Sequence, residues 1–264
     1  MSRKLAFDLQ LIRKAILEIS IESGEGHIPS AFSILEIVSV LYSSILNVEE
    51  ICKGSTERDR FILSKGHGCL ALYFILGEVG LIRRSDLASF CSFDGLLGGH
   101  PKRSIVHGIE ASTGSLGHGL AIAVGLATSL KRRSSRARVY SLIGDGECNE
   151  GSVWEAALLA SHNKLTNLMC IVDYNHSGDR ALLLGDLGKK FDSFGFTVID
   201  VDGHDINKLE IALSHVDQTN PVAVIAHTIK GRGLKMMENN PAWHHASPNL
   251  EQLRDFLTEL SGNA

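Results

Sequence analysis

Apolar positions recur along the chain in two rhythms. In 5–22 they fall every three or four residues, at Leu5, Leu9, Ile12, Ile16 and Ile19, the spacing of one helix face. Ser23-Gly24-Glu25-Gly26 interrupts that pattern, and His27-Ile28-Pro29-Ser30 reads as a loop. Ser33 is then placed to cap a second helix, 34–46, striped by Ile34, Ile37, Val38, Leu41 and Ile45. The polar stretch 49–58 reads as exposed loop. The second rhythm is short apolar runs at 60–63, 139–143, 168–172, 196–201 and 221–227, the form of buried parallel strands. Helical spacing lies between them at 68–79, 86–91, 116–132, 151–163, 187–194 and 206–216, and 250–260 closes the chain. Segment 228–249 is irregular and too long for an ordinary connection. Strands alternating with helices predict an α/β fold, a three-layer, doubly wound, mostly parallel sheet. No linker interrupts 1–264, which reads as one domain.

Composition narrows the class of partner. The 264 residues are 44% hydrophobic and 21% charged, with a formal net charge of −4. That balance gives no electrostatic reason to expect nucleic acid or an anionic membrane. The apolar runs read as far shorter than a membrane span, and MSRKLAFDLQ lacks the apolar core of a signal peptide. Five scattered cysteines without a CxxC pair argue against a disulfide framework or zinc site and fit a reducing cytoplasm.

The stretch 139–175 carries the densest chemistry. Its first strand run ends in Gly144-Asp145-Gly146, and its second in Asp173-Tyr174-Asn175. Asp145 and Asn175 thus arrive at the carboxyl ends of two strands, the edge where ligands bind in open parallel sheets. Two oxygen ligands suit a hard cation such as Mg²⁺ that grips a phosphate or diphosphate. An ordinary turn acid and strand-end Asn explain three residues equally well, and spacing alone leaves both readings open. The glycine-rich ASTGSLGHG at 111–119 can present backbone N–H groups to an anion or simply permit close packing.

Eight motifs in order extend the picture: DRFILSKGH (59–67), GGHP (98–101), TGSLGHG (113–119), GDGECNEGSVWEAA (144–157), VDYN (172–175), VDGHD (201–205), AHTIKGRG (226–233) and MENNPAWHH (237–245). Together they resemble the N-terminal, diphosphate-binding module of transketolases, over nearly the whole chain. The resemblance implies the thiamin diphosphate-binding fold. It implies a divalent metal, Mg²⁺ or Ca²⁺/Mn²⁺, held by Asp145, Asn175 and the carbonyl of Ser177. It assigns His67, Gly146, Glu147 and His244 to the cofactor's diphosphate and neighbouring atoms, and Gly114, Ser115 and Leu116 to backbone contacts near the thiamin. His27, His67, His100 and His244 become candidates to hydrogen-bond substrate and shuttle protons. Glu150 and Glu155 match acids at a subunit interface, although Glu150 could equally serve the N-terminus of the 151–163 helix. His107, His162, His176, His215 and His227 read as surface or structural residues.

The implied activity is transfer of a two-carbon ketol unit from a ketose (phosphate) to an aldehyde, the aldose (phosphate) acceptor. The pyrimidine-binding module that follows in full transketolases has no counterpart before Ala264, so the resemblance implies a split enzyme. Its partner is a C-terminal, pyrimidine-binding subunit, in an α2β2 heterotetramer. The chain also departs from the family. His176-Ser177-Gly178-Asp179-Arg180 replaces an apolar residue and an Ile-Asp-Gly-like turn, and the 176–185 loop is short. Bracketed by Gly178 and Gly185, it is expected to be mobile until a metal fixes Ser177. His107 stands where Pro is common and His245 where Gly is common. These departures leave room for an unusual acceptor in a specialised pathway. The rival readings are a 2-oxo acid decarboxylase component, a non-catalytic homologue and a nicotinamide-binding protein. The last lacks a GxGxxG after its first strand.

Overall fold

The computed structural model describes residues 6–103 and 106–262. The expected start of the first helix at Leu5 lies outside them. Helix α1 (Leu9–Ser23) begins where the Asp8 carboxylate accepts the Leu11 N–H at 2.9 Å, and it ends at Gly24 with φ +68°. Helix α2 (Ile28–Val40) starts six residues before the expected 34, because Pro29 sits in its first turn, where its missing N–H costs nothing. HIPS is therefore a helix start rather than a loop, and Ser33 is a buried mid-helix residue rather than a cap.

A π-turn (Leu41–Ile45) continues α2. The resulting 18-residue stretch Ile28–Ile45 has mean hydropathy 1.6, long and apolar enough to span a membrane, which corrects the expectation that no run is. Its position supplies the other reason for that composition: 83% of it is buried between the sheet and other helices. Helix α3 (Val48–Cys52) occupies part of the expected 49–58 loop, capped by Asn47 accepting the Glu50 N–H.

The remaining elements follow in the predicted order. They are β1 (Arg60–Leu63), α4 (Cys69–Glu78), α5 (Arg84–Ala88), α6 (Gly119–Arg132), β2 (Val139–Gly144), α7 (Gly151–His162), β3 (Leu168–Tyr174), α8 (Leu187–Ser193), β4 (Thr197–Asp202), α9 (Ile206–Ser214), β5 (Val222–His227) and α10 (Leu250–Gly262). The sheet is wholly parallel, in the order β1-β2-β3-β5-β4. Alternate strand residues serve opposite layers. Phe61, Leu63, Tyr140, Leu142, Met169 and Ile171 pack with α1, α2, α4, α9 and α10. Ile62, Val139, Ile143, Cys170 and Val172 pack with α6, α7 and α8.

This winding creates the crevice. Strands β3 and β5 are neighbours, but the chain leaves β3 towards α8 on one face and leaves β5 towards α10 on the other. Their connections part above the carboxyl edge, which is the position of ligand crevices in such sheets. Helix α6 starts at Gly119 rather than 116. Gly114 (φ +143°) and Gly117 (φ +84°) hold conformations no helix contains, and the Gly117 N–H is donated to Glu147 instead.

Candidate active site at the carboxyl edge

Asp145 and Asn175 stand at the ends of β2 and β3, each 5% exposed. With Ser177 they line a 230 Å³ cavity, which adjoins a 390 Å³ cavity at the β3/β5 crevice. Asn175, Ser177, Lys230 and His244 line both. The two cavities share a wall built from the ends of β3 and β5, so one extended ligand could occupy both.

The Asp145 carboxylate accepts the Gly146 N–H at 2.7 Å, the Ser177 hydroxyl at 3.2 Å and the Gly178 N–H at 3.3 Å. It has no ion-pair partner among the described residues. Burial, then the neighbouring Asp173 charge, pushes its pKa up. A buried carboxylate without a cation, beside the Asn175 amide at the same cavity, offers oxygen donors of the kind a hard divalent ion takes. No cluster of three or more His, Cys, Asp or Glu residues competes for such an ion among the described residues.

Asp173 is the hidden brace of this edge. It is fully buried and accepts hydrogen bonds from Lys65, Thr228, Ser33 (2.7 Å) and Asn175 (3.0 Å). Burial opposes its charge, but the Lys65 ammonium and these donors hold its pKa below the usual carboxylate range. The Asn175 amide is thereby fixed with its NH₂ towards Asp173 and Ser33 and its oxygen towards the cavity side, where it accepts the Ser177 N–H at 3.1 Å.

Glu147 is a strut. Its carboxylate accepts from the Ser64 hydroxyl, the Gly117 N–H (2.9 Å) and the Gly144 N–H (3.2 Å), tying β1, the 113–117 loop and β2 together. Burial pushes its pKa up. The glycine-rich loop is seated by contacts that a side chain would block. A Cβ on Gly66 would lie 2.9 Å from the Gly114 N, and one on Gly114 would lie 3.0 Å from the His100 ring. Leu116 reaches the smaller cavity, and Ser115 is exposed.

The histidines gather as one group. The His27 ring centroid lies 5.5 Å from His67, 6.0 Å from His100, 5.6 Å from His244 and 4.5 Å from His245. Lys230 donates to His244 Nδ1 at 2.9 Å. Burial, then His245 and His244, lowers His27 to about 4. Burial, then Lys65, takes His67 well below its usual value, and burial, then Lys230, lowers His244. Without an anion beside them, burial and the neighbouring positive groups favour the neutral, hydrogen-bonding forms of these three rings. Burial, then Lys65, also lowers Lys230, to about 8.

Segment 176–185 continues from Asn175 along the wall of both cavities. It forms a 3-10 turn at Gly178–Arg180, after His176 at φ +61°. A Cβ on Gly178 would lie 2.6 Å from the Gly146 Cα, so the two turns touch backbone to backbone. Gly178→Ala is expected to cost about 2 kcal/mol, read as a fall of roughly 4–8 °C in thermal midpoint. An unchanged midpoint would mean that the turns do not pack this way. Leu182 and Leu183, downstream, are exposed.

Glu150 is the N-cap residue of α7 without a side-chain capping bond, and Glu155 is exposed on the same helix. Spacing did not single out Lys65, Ser33, Asp173, Thr228, Arg180 or Lys230, and it set His176 aside, although His176 lines the larger cavity. The rule that found Asp145 and Asn175 would have found several of these. Lys65 follows β1 and Thr228 to Lys230 follow β5, at the same carboxyl edge.

Comparison with known proteins agrees with this geometry. Residues 8–260 match the model of the transketolase, thiamine diphosphate binding domain. Among curated proteins, one named as a subunit of the apulose-4-phosphate transketolase of Phocaeicola vulgatus is 37% identical over 94% of this chain and 91% of its own length. The corresponding protein of Actinobacillus succinogenes is 39% identical over 94% and 93%. Human transketolase is 37% identical over 88% of this chain but only 38% of its own length. Among solved structures, transketolase from Leishmania mexicana superposes with a TM-score of 0.84 at 26% identity, covering 97% of this chain and 42% of that one. Transketolase from Campylobacter jejuni gives 0.81 at 29%, covering 96% and 41%. The chain thus spans about two fifths of these solved transketolases, in their parallel-sheet α/β fold, and it belongs to the transketolase family as its N-terminal, thiamin diphosphate-binding part.

Proposed function

We propose that this chain is the N-terminal subunit of a two-chain transketolase, moving a two-carbon ketol unit from a ketose phosphate to an aldehyde. The observation that carries the reading is the carboxyl-edge crevice, with a cation-seeking Asp145–Asn175 pair on one side and Lys230 with the histidine cluster on the other. That pairing of an oxygen donor set with cationic and hydrogen-bonding groups suits a metal–diphosphate ligand. Asp145, Asn175 and the Ser177 carbonyl would hold the metal, Mg²⁺ before Ca²⁺ or Mn²⁺. Lys230, His67 and His244 would meet diphosphate oxygens, with the Gly146 backbone beside them. Gly114, Ser115 and Leu116 would lie along the thiamin. Bound thiamin diphosphate supplies the electron sink that carbon–carbon cleavage needs.

The chain's own part is orientation and hydrogen bonding. His27, at the centre of the cluster, and His100 beside it would take substrate hydroxyl and carbonyl oxygens through their ring nitrogens. Binding of an anion beside His67 and His244 favours their protonated forms, which is how they would come to hold a proton during turnover. Two relatives matched over almost their whole length carry the name of one subunit of an apulose-4-phosphate transketolase, which supports both a ketose phosphate donor and a separate partner chain. We place the enzyme in the cytoplasm, consistent with its five unpaired cysteines.

Titration of the assembled enzyme with thiamin diphosphate, with and without Mg²⁺, tests the reading, with NAD as the comparison. Mg²⁺-dependent binding of thiamin diphosphate is expected, and none of NAD. Because Lys230 loses its proton at about 8 rather than its usual 10.5, diphosphate affinity should fall, by about tenfold, as pH rises past 8. Binding of NAD but not thiamin diphosphate would overturn the proposal.

A further inference from the structure

We infer that His204 is a positioning residue that sets Lys230 in place through the backbone of Ile229, an inference that rests on the diphosphate site proposed above. His204 belongs to the VDGHD turn after β4, a motif that no step so far has used. The turn braces three consecutive residues, the last of β5 and the two beyond it. The Gly203 N–H donates to the His227 carbonyl at 2.8 Å. Gly203 also lies so close to Thr228 that a Cβ would fall 2.3 Å from its Cγ2. His204 Nε2 then takes the Ile229 N–H at 2.9 Å. Lys230 is the next residue.

The hydrogen bonds dictate the state of the ring. Nε2 can accept from an amide only if it carries no proton, so Nδ1 carries it and donates to Glu36 Oε2, 3.1 Å away. The other Glu36 oxygen accepts from Arg13. All three side chains are close to fully buried, at 10% exposure or less. An Arg–Glu–His chain buried this deeply is weak support for stability by itself, since desolvation offsets much of its attraction. It does fix one tautomer and one ring orientation, as outer partners do for metal-ligating histidines. The fixed ring holds the Ile229 amide, while Thr228 is tied to Asp173 and the Lys230 carbonyl accepts the Asn239 N–H at 2.8 Å. Lys230 is therefore presented to the crevice from a backbone fastened on both sides, so less of its main chain has to be ordered when an anion arrives.

The test is a double-mutant cycle on this chain assembled with its partner subunit, reading Mg²⁺-pyrophosphate affinity by calorimetry. His204→Leu should weaken binding about tenfold, and His204→Gln, which retains an acceptor for the Ile229 N–H, by no more than about threefold. In a Lys230→Met background the His204→Leu effect should shrink below about twofold, because what His204 positions is gone. An equal loss in both backgrounds marks a merely structural role and overturns the inference, as does unchanged affinity in His204→Leu. If His204→Leu fails to fold, the nitrogen-15 shifts of His204 in the unmodified chain decide. A protonated Nδ1 with a bare Nε2 is expected, and a protonated Nε2 overturns it. Absence of pyrophosphate binding in the unmodified assembled enzyme would instead sink the diphosphate site itself, and this inference with it.

Discussion

Asp145→Ala is expected to abolish Mg²⁺-dependent retention of thiamin diphosphate in the assembled enzyme. The carboxylate is buried without a cationic partner, so a metal would gain its only charged protein ligand there. Removing one member of a buried charge pair costs about 3–5 kcal/mol, a loss of at least about 100-fold in affinity. Asp145→Ala also strands the Gly146 and Gly178 N–H groups that the carboxylate now accepts. Asp145→Asn separates the two effects. It keeps an acceptor for the turn but removes the charge, so it should fold like the parent and still bind cofactor poorly. Asn175→Ala should weaken binding less, because it removes a neutral ligand. Calorimetry that finds unchanged affinity in Asp145→Asn and Asp145→Ala would remove Asp145 from the metal site.

The second large effect concerns the division of the enzyme. The 264-residue chain alone is expected to turn over no ketose above background and to bind thiamin diphosphate weakly. Its crevice supplies oxygen ligands, Lys230 and histidines for the diphosphate end. The resemblance to transketolases implies that the acid for the aminopyrimidine comes from the C-terminal, pyrimidine-binding partner. A positioned acid of that kind contributes about 10²–10⁴-fold in rate. The surface is consistent with a partner beside this edge. Ile122 in the first turn of α6 is 38% exposed, and Leu182 and Leu183, just past the cavity-lining Ala181, are 58% and 70% exposed. Neighbouring exposed apolar side chains of this kind mark interaction surfaces. Closed symmetry makes two copies of each chain the simplest assembly. Mixing the two purified halves should restore ketol transfer and give a complex of about twice the heterodimer mass. Turnover by the isolated chain at the rate of the mixture would refute the split.

Much of this architecture was legible from local pattern. The five strand runs, their alternation with helices and the Gly144-Asp145-Gly146 turn are short-range features, because a buried parallel strand must be apolar throughout and must end where polar residues can turn the chain. Boundaries failed where a single residue outweighed the stripe. Pro29 started α2 six residues early, and the positive φ of Gly117 delayed α6. The order β1-β2-β3-β5-β4, and hence the crevice between β3 and β5, is a property of the winding that periodicity does not contain.

The site divides in the same way. Asp145, Asn175 and the histidine-bearing motifs could be named from the chain, since residue types at strand ends and a family resemblance identify ligands one by one. Their working state could not. Asp173 looked like any strand residue until Lys65, Ser33 and Thr228, from three distant segments, closed around it. His27, His67 and His244 looked like proton carriers until their rings and Lys230 were brought together, where like charges oppose one another and partial or full burial disfavours their charged forms. The sequence by itself determined which chemical groups are present and which strand ends carry them. Only the tertiary structure decided which are charged, which are struts and which are free to meet a ligand, because desolvation and pairing depend on neighbours that the chain supplies from elsewhere along its length.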